Sequence, residues 1–340
     1  MRITRDTLLK IVRDTVNQRT RSDRGLLAVY LHGSLLEEEY LLGGATDIDL
    51  FFIHSDTIPT PREIVHLSDE VHLDIAHHLH RDYRNTRQLR LHPWLGPTIK
   101  DCRILHDPQH FLDFTQASVR GQFDRPDYVL ERSRKQLESA RQIWLSLHEA
   151  HPDPSPKDIV SYLRALENAA NAVAGIYGSP LTERRFLLRL PARCEAAGHP
   201  GLYPGLLGML GAPNVAVETI KSWVELWQAA YQTLATALPA DIIPPRLSPS
   251  REVYYLKAFN YLLEGSQPQT VLWPLLRCWT LSVASLPAPA DHLTNWHASL
   301  EQLHLAGAGF AERVSALDAY LDMAEETQEQ WAIANGASAE

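Results

Sequence analysis

The chain has 340 residues, 45% hydrophobic and 21% charged, the proportions of a globular protein with ample core, and at about 100–200 residues per domain its length predicts two domains. Its 41 acidic and 32 basic residues give a formal net charge of −9, which repels nucleic acid at long range and favours cationic or neutral ligands. No apolar run reaches the roughly 18 residues needed to cross a bilayer, and the polar opening MRITRDTLLKIVRDTVNQRT lacks a signal-peptide core, so a cytoplasmic protein without a membrane partner is expected.

Residues 3–20 carry Ile3, Leu8, Ile11, Val12 and Val16 at helical spacing and predict a first helix. Residues 26–32 (LLAVYLH) and 48–54 (IDLFFIH) are short runs rich in β-branched and aromatic residues, bounded by Gly, Asp or Ser, and predict strands. Residues 71–76 (VHLDIA) predict a third strand, and 99–105 a fourth. A helix, a strand, a helix and then a hairpin or meander of strands make a small α/β domain, assigned to 1–118.

From 119 to 340 the pattern is helical. Helices are predicted over 126–150, 156–177, 181–197, 214–237, 249–264, 269–285, 290–304 and 308–333, with Ser155 as an N-cap. Proline-rich stretches, HPDPSP at 151–156, PADIIPP at 239–245 and LPAPAD at 286–291, punctuate them, and the tail ANGASAE is expected to fray. Cys102, Cys194 and Cys278 are far apart and form no CxxC pair, so buried reduced thiols are expected.

The chemistry concentrates in residues 31–54, LHGSLLEEEYLLGGATDIDLFFIH. A strand ends at His32, and Gly33 and Ser34 open what reads as a helix. Glycine lets the backbone turn and lets phosphate oxygens approach, while a serine hydroxyl and free helix N–H groups suit an anion. Ser34 and Glu37 also fit a capping box. Asp47 and Asp49 then enter a strand two residues apart, so both carboxylates share one face and suit a hard divalent cation such as Mg²⁺. Asp74 lies inside the apolar run VHLDIA, where an unpaired charge is costly. If its strand adjoins the Asp47–Asp49 strand, three carboxylates converge and call for a cation.

Gly-Ser after a strand, a helical spacer, Asp-x-Asp in an apolar strand and an acid on a later strand resemble the DNA polymerase β-like nucleotidyltransferase superfamily. Within it, LHGS…GGATDIDLFF is most similar to the bacterial antibiotic (aminoglycoside) nucleotidyltransferases and their uncharacterised relatives; the likeness covers residues 25–80. It implies an α/β nucleotidyltransferase domain, a small mixed sheet with flanking helices, followed by an all-α C-terminal domain, with the active site in the cleft between them. It implies Gly33 and Ser34 on the β- and γ-phosphates of ATP, Asp47 and Asp49 as Mg²⁺ ligands, and Asp74 as a third ligand or as the base for the acceptor hydroxyl. Some relatives carry Glu at that place, so the base stays open.

Four further groups are candidates. His72 shares a face with Asp74 and stands near the trio, whereas His77, His78 and His80 are expected in solvent at a strand end. Arg81, Arg84, Arg87 and Arg90 would form a basic stripe on a helix, either solvated or reaching a triphosphate. Arg164, Glu167, Asn168 and Asn171 share a helix face that either lines a cleft or forms a buried polar network, and Glu167 is the reserve base. Trp223, Trp227, Trp273 and Trp279 are expected in the core.

The expected activity is therefore Mg²⁺-dependent transfer of a nucleoside monophosphate, AMP from ATP, to a hydroxyl of a small polar molecule. A polycationic aminoglycoside suits the acidic composition. Two alternatives stand beside it: adenylyl transfer to a protein or RNA partner, as in toxin–antitoxin pairs, with RNA disfavoured by charge, or a catalytically silent nucleotide-binding protein.

Overall fold

The computed structural model describes residues 3–148, 153–287 and 290–337. The chain divides into two compact units: Met1–Asp124 with Ser250–Ala258, and Arg125–Pro249 with Phe259–Glu340.

The first unit begins with α1 (Arg5–Ser22), capped by the Thr4 side chain, which accepts the Thr7 N–H. Leu8, Val12 and Val16 recur every four residues and are buried on one side of this helix. The five strands β1 (Leu26–His32), β2 (Thr46–His54), β3 (Arg62–Ser68), β4 (Val71–Leu79) and β5 (Arg103–His106) form one mixed sheet in the order β3-β4-β2-β1-β5. Three short helices, α2 (Thr86–Arg90), α3 (Leu95–Asp101) and α4 (Phe111–Arg120), complete this part of the chain.

Strands β1, β2 and the start of β4 lie where the apolar runs place them, but the connection differs from a simple hairpin or meander. β2 and β4 are parallel neighbours, and β3 pairs antiparallel with the outer edge of β4. The unanticipated β3 takes the chain to the sheet edge, and β4 returns between it and β2. The stretch 99–105 is not one strand: Ile99 packs as the end of α3 and only Arg103–His106 pairs with β1. Nor does a helix follow Gly33. Ser34–Leu36 is a single 3₁₀ turn with Gly33 as its N-cap, and the Glu37 N–H donates to the Ser34 carbonyl, so Ser34 does not open a helix as its N-cap. Glu37, Glu38 and Glu39 then follow without an apolar stripe to bury, and the chain doubles back through Gly43 and Gly44, both at positive φ, between Leu42 and Ala45.

Alternation along the strands splits the apolar residues between two faces. Ile48, Leu50 and Phe52 of β2 and Val71, Leu73 and Ile75 of β4 pack with Leu8, Val12 and Val16 of α1. On the other face Ala28, Tyr30 and Ile53 pack with Tyr83, Leu89, Ile99, Leu112 and Val119. Arg81, Arg84, Arg87 and Arg90 make no continuous stripe, because 80–83 is a 3₁₀ turn and α2 starts only at Thr86. Arg90 instead donates to the Ser118 carbonyl.

The second unit is helical: α5 (Pro126–Leu147), α6 (Pro156–Ala174), α7 (Phe186–Ala196), α8 (Leu202–Met209), α9 (Val217–Ala237), α10 (Glu252–Glu264, from Phe259 onward), α11 (Leu272–Ser285), α12 (Ala290–Gln302) and α13 (Ala308–Asn335). Ser155 caps α6 in a reciprocal box with Asp158. Trp223, Trp227, Trp273 and Trp279 are buried, and all three cysteines are buried and free. The residues 149–150 of the helix expected at 126–150, 151–152 of HPDPSP, 288–289 of LPAPAD and 338–340 of the tail lie outside the described residues. Among the described residues, no helix is long and apolar enough to cross a membrane.

Candidate metal and nucleotide site

In the parallel β2–β4 pair Asp49 is in register with Asp74, and Asp47 with His72. Side chains of registered residues point to the same face, and i and i+2 on each strand share it. Asp47, Asp49, His72 and Asp74 therefore stand on one face of the sheet, at the start of both strands, while Ile48 and Leu73 enter the core opposite. The Gly33 turn closes against them. Gly33 has φ +84°, and a Cβ there would sit 2.0 Å from Asp49 Oδ2, so only glycine fits. The Ser34 hydroxyl shares a hydrogen bond with that of Thr46, at 3.3 Å.

Two arginines meet the acids. Arg62, on β3, donates from Nε and Nη2 to the two oxygens of Asp74, each at 2.6 Å, a bidentate fork. Arg251, from the segment Ser250–Ala258 that belongs to this unit, donates from Nη2 to Asp47 Oδ2 at 2.6 Å. Its Nη1 lies 3.5 Å from Asp74 Oδ2. The guanidinium is also over the Tyr254 and Tyr255 rings, 4.6 and 5.5 Å from their centroids. His72 is fully buried, donates from Nε2 to the Ser250 carbonyl at 2.9 Å, and meets the Tyr254 ring edge-on; burial lowers its pKa. Lys257 closes on Glu70 at 2.9 Å.

Asp49 has neither arginine as a hydrogen-bond partner. Burial, then the neighbouring Asp74 and Asp47 charges, push its carboxyl up to about 8. Asp47 Oδ1 is buried without a hydrogen-bond partner. Hard carboxylate oxygens on one face, one of them orphaned and one carboxyl resisting ionisation beside its neighbours, fit a divalent cation in chemistry. As the side chains stand, however, no group of three His, Cys, Asp or Glu among the described residues is gathered closely enough to hold a metal ion. Arg251 lies between Asp47 and Asp74 instead.

The other candidates lie elsewhere. Glu167, in the helical unit, pairs with Arg277 at 2.6 Å, and burial raises its carboxyl. Asn171 both accepts the Leu181 N–H and donates to its carbonyl, at 2.7 and 2.9 Å, and Asn168 donates to Ser139, so these two amides belong to a buried polar network. His77, His78 and His80 are not at a solvated strand end, because β4 runs three residues further than its apolar run suggests. His77 is buried and hydrogen-bonded to His54 at 2.8 Å, His78 bonds the Tyr83 hydroxyl at 2.7 Å, and His80 meets the Phe111 ring.

Arg62 and Arg251 are the site residues that sequence reasoning missed. Arg62 had a usable signal, since REIVHLS and VHLDIA flank the two residues Asp69-Glu70 as the strands of a hairpin would. Arg251 had none, being 204 positions from the aspartate it pairs with. No protein-family model matches the chain, and a search of the curated proteins gives no significant match.

Proposed function

We propose that the chain is a Mg²⁺-dependent nucleotidyltransferase that moves AMP from ATP to a hydroxyl of a small polar molecule, with its first unit as the nucleotidyltransferase-type domain. The observation that supports this most is the register of β2 on β4, which sets Asp47, Asp49 and Asp74 on one face beside the Gly33 turn. The resemblance of LHGS…GGATDIDLFF to the aminoglycoside nucleotidyltransferases supports the reaction class.

Asp47 and Asp49, with Asp74 behind them, would hold the cation. When bound, Mg²⁺ would polarise the α-phosphate and offset the charge of the departing pyrophosphate. Gly33, which packs directly against the Asp49 carboxylate, would offer its backbone to the triphosphate beside the cation. The Ser34 hydroxyl, hydrogen-bonded to that of Thr46, would meet the same anion. The acceptor oxygen forms its bond to the α-phosphorus as the bridge to the β-phosphate breaks, and most of the rate comes from alignment and charge stabilisation. Both Asp74 oxygens accept from Arg62, which suits a carboxylate that stays anionic rather than one that takes up the hydroxyl proton. Glu167, in the helical unit, is likewise paired with an arginine, Arg277 at 2.6 Å.

Pyrophosphate release from ATP across a panel of hydroxylated small molecules, with Asp49→Asn as control, tests the activity. Turnover that survives the substitution would contradict it. A second reading, a catalytically silent nucleotide-binding protein, draws on Arg62 and Arg251, which already neutralise two of the three acids. ATP–Mg²⁺ binding without pyrophosphate release for any acceptor would favour it.

A further inference from the structure

We propose that the Arg251 guanidinium is the resident counter-cation of the Asp47, Asp49 and Asp74 trio, that it gives up Asp47 when a divalent cation enters, and that it thereby sets the cation affinity of the site. The proposal rests on the reading of the trio as a cation site given above.

Three observations carry it. Arg251 stands where a shared ion would, in contact with Asp47 at 2.6 Å and Asp74 at 3.5 Å. It is 4% exposed, and its Nε and Nη1 have no hydrogen-bond partner, as Asp47 Oδ1 has none. The contact thus leaves donors and an acceptor unused, in contrast to the full fork between Arg62 and Asp74.

Charge counting points the same way. With Asp49 ionised, as a metal ligand must be, three carboxylates against two guanidiniums leave one formal negative charge. A dication added on top would reverse it to one positive charge in a largely buried place, where uncompensated charge is costly. A dication that releases one guanidinium leaves the cluster neutral. Arg251 is the one to release, because Arg62 would forfeit two short bonds and Arg251 only one. The Tyr254 and Tyr255 rings still face its guanidinium once Asp47 is given up, which lowers the cost of the exchange.

Because the guanidinium and the dication compete for the same oxygen, removing one strengthens the other. Mg²⁺ titration of the metal-free full chain without nucleotide, by calorimetry, tests this on the wild type, Arg251→Gln and Asp49→Asn. Arg251→Gln is expected to bind Mg²⁺ about tenfold more tightly than wild type. If the wild type binds Mg²⁺ in an Asp49-dependent way and Arg251→Gln binds it no more tightly, the competition is overturned while the nucleotidyltransferase reading stands. If neither protein binds Mg²⁺, both are overturned. Should the glutamine variant fail to fold, wild-type protein with ¹⁵N-labelled arginine carries the test. The Arg251 Nε–H signal, identified through Arg251→Lys, is expected to shift with the midpoint of Mg²⁺ binding, and a signal unmoved at saturation overturns the proposal.

Discussion

Gly33 has room for nothing but hydrogen, since any Cβ would collide with the Asp49 carboxylate. Gly33→Ala is expected to lower stability by about 1–3 kcal/mol, through the positive φ and the collision together, and to weaken ATP–Mg²⁺ binding in the same variant. Urea unfolding and nucleotide titration check the two effects; a variant as stable as wild type would show that the turn relaxes freely. At this scale the acids were legible in the sequence, because a charge inside an apolar strand breaks its pattern visibly, as Asp47, Asp49 and Asp74 do. Their arginine partners were not. A side chain that reaches its partner across the fold, as Arg251 does, leaves no local periodicity behind.

Helix α6 buries both amides of Asn171 and Leu181 in mutual hydrogen bonds. Replacing Asn171 with Leu removes one partner and orphans a buried N–H and a buried carbonyl, at a cost of about 2–4 kcal/mol. Chemical denaturation would measure it, and a loss near zero would mean that water replaces the amide. The long helices were readable because an apolar stripe and proline boundaries persist over several turns, as in α5, α6 and α9. α8 was not, because Leu-Tyr-Pro-Gly-Leu-Leu-Gly-Met carries two glycines and a proline, and only packing by Leu202, Leu206 and Met209 makes it a helix. β3 escaped for a related reason: its residues are half-buried or exposed, so an edge strand shows little of the alternation that reveals a central one.

Across the molecule, buried histidines couple stability to acid. Burial lowers the pKa of His54, His77 and His78 from the ordinary 6.5. The unfolded chain therefore takes up protons first as pH falls, so the stability they contribute is complete above 6.5 and is lost below it. The Asp49 carboxyl, pushed up to about 8, acts in the opposite sense, so the histidine contribution is read by difference: from about pH 7 to pH 5 the urea midpoint of the His54→Gln, His77→Gln double variant is expected to fall less, or rise more, than that of the wild type, and an equal change in both proteins would assign the effect to other groups. At the same scale stands the claim that a mixed sheet gathers three carboxylates to hold a cation against a triphosphate. Crystals grown with Mn²⁺ and a non-hydrolysable ATP analogue test it most directly, through the anomalous signal of the metal. The account predicts Mn²⁺ about 2.1–2.3 Å from oxygens of Asp47 and Asp49, with the phosphates against Gly33 and Ser34. A structure with nucleotide and metal bound away from β2 and β4 would contradict it.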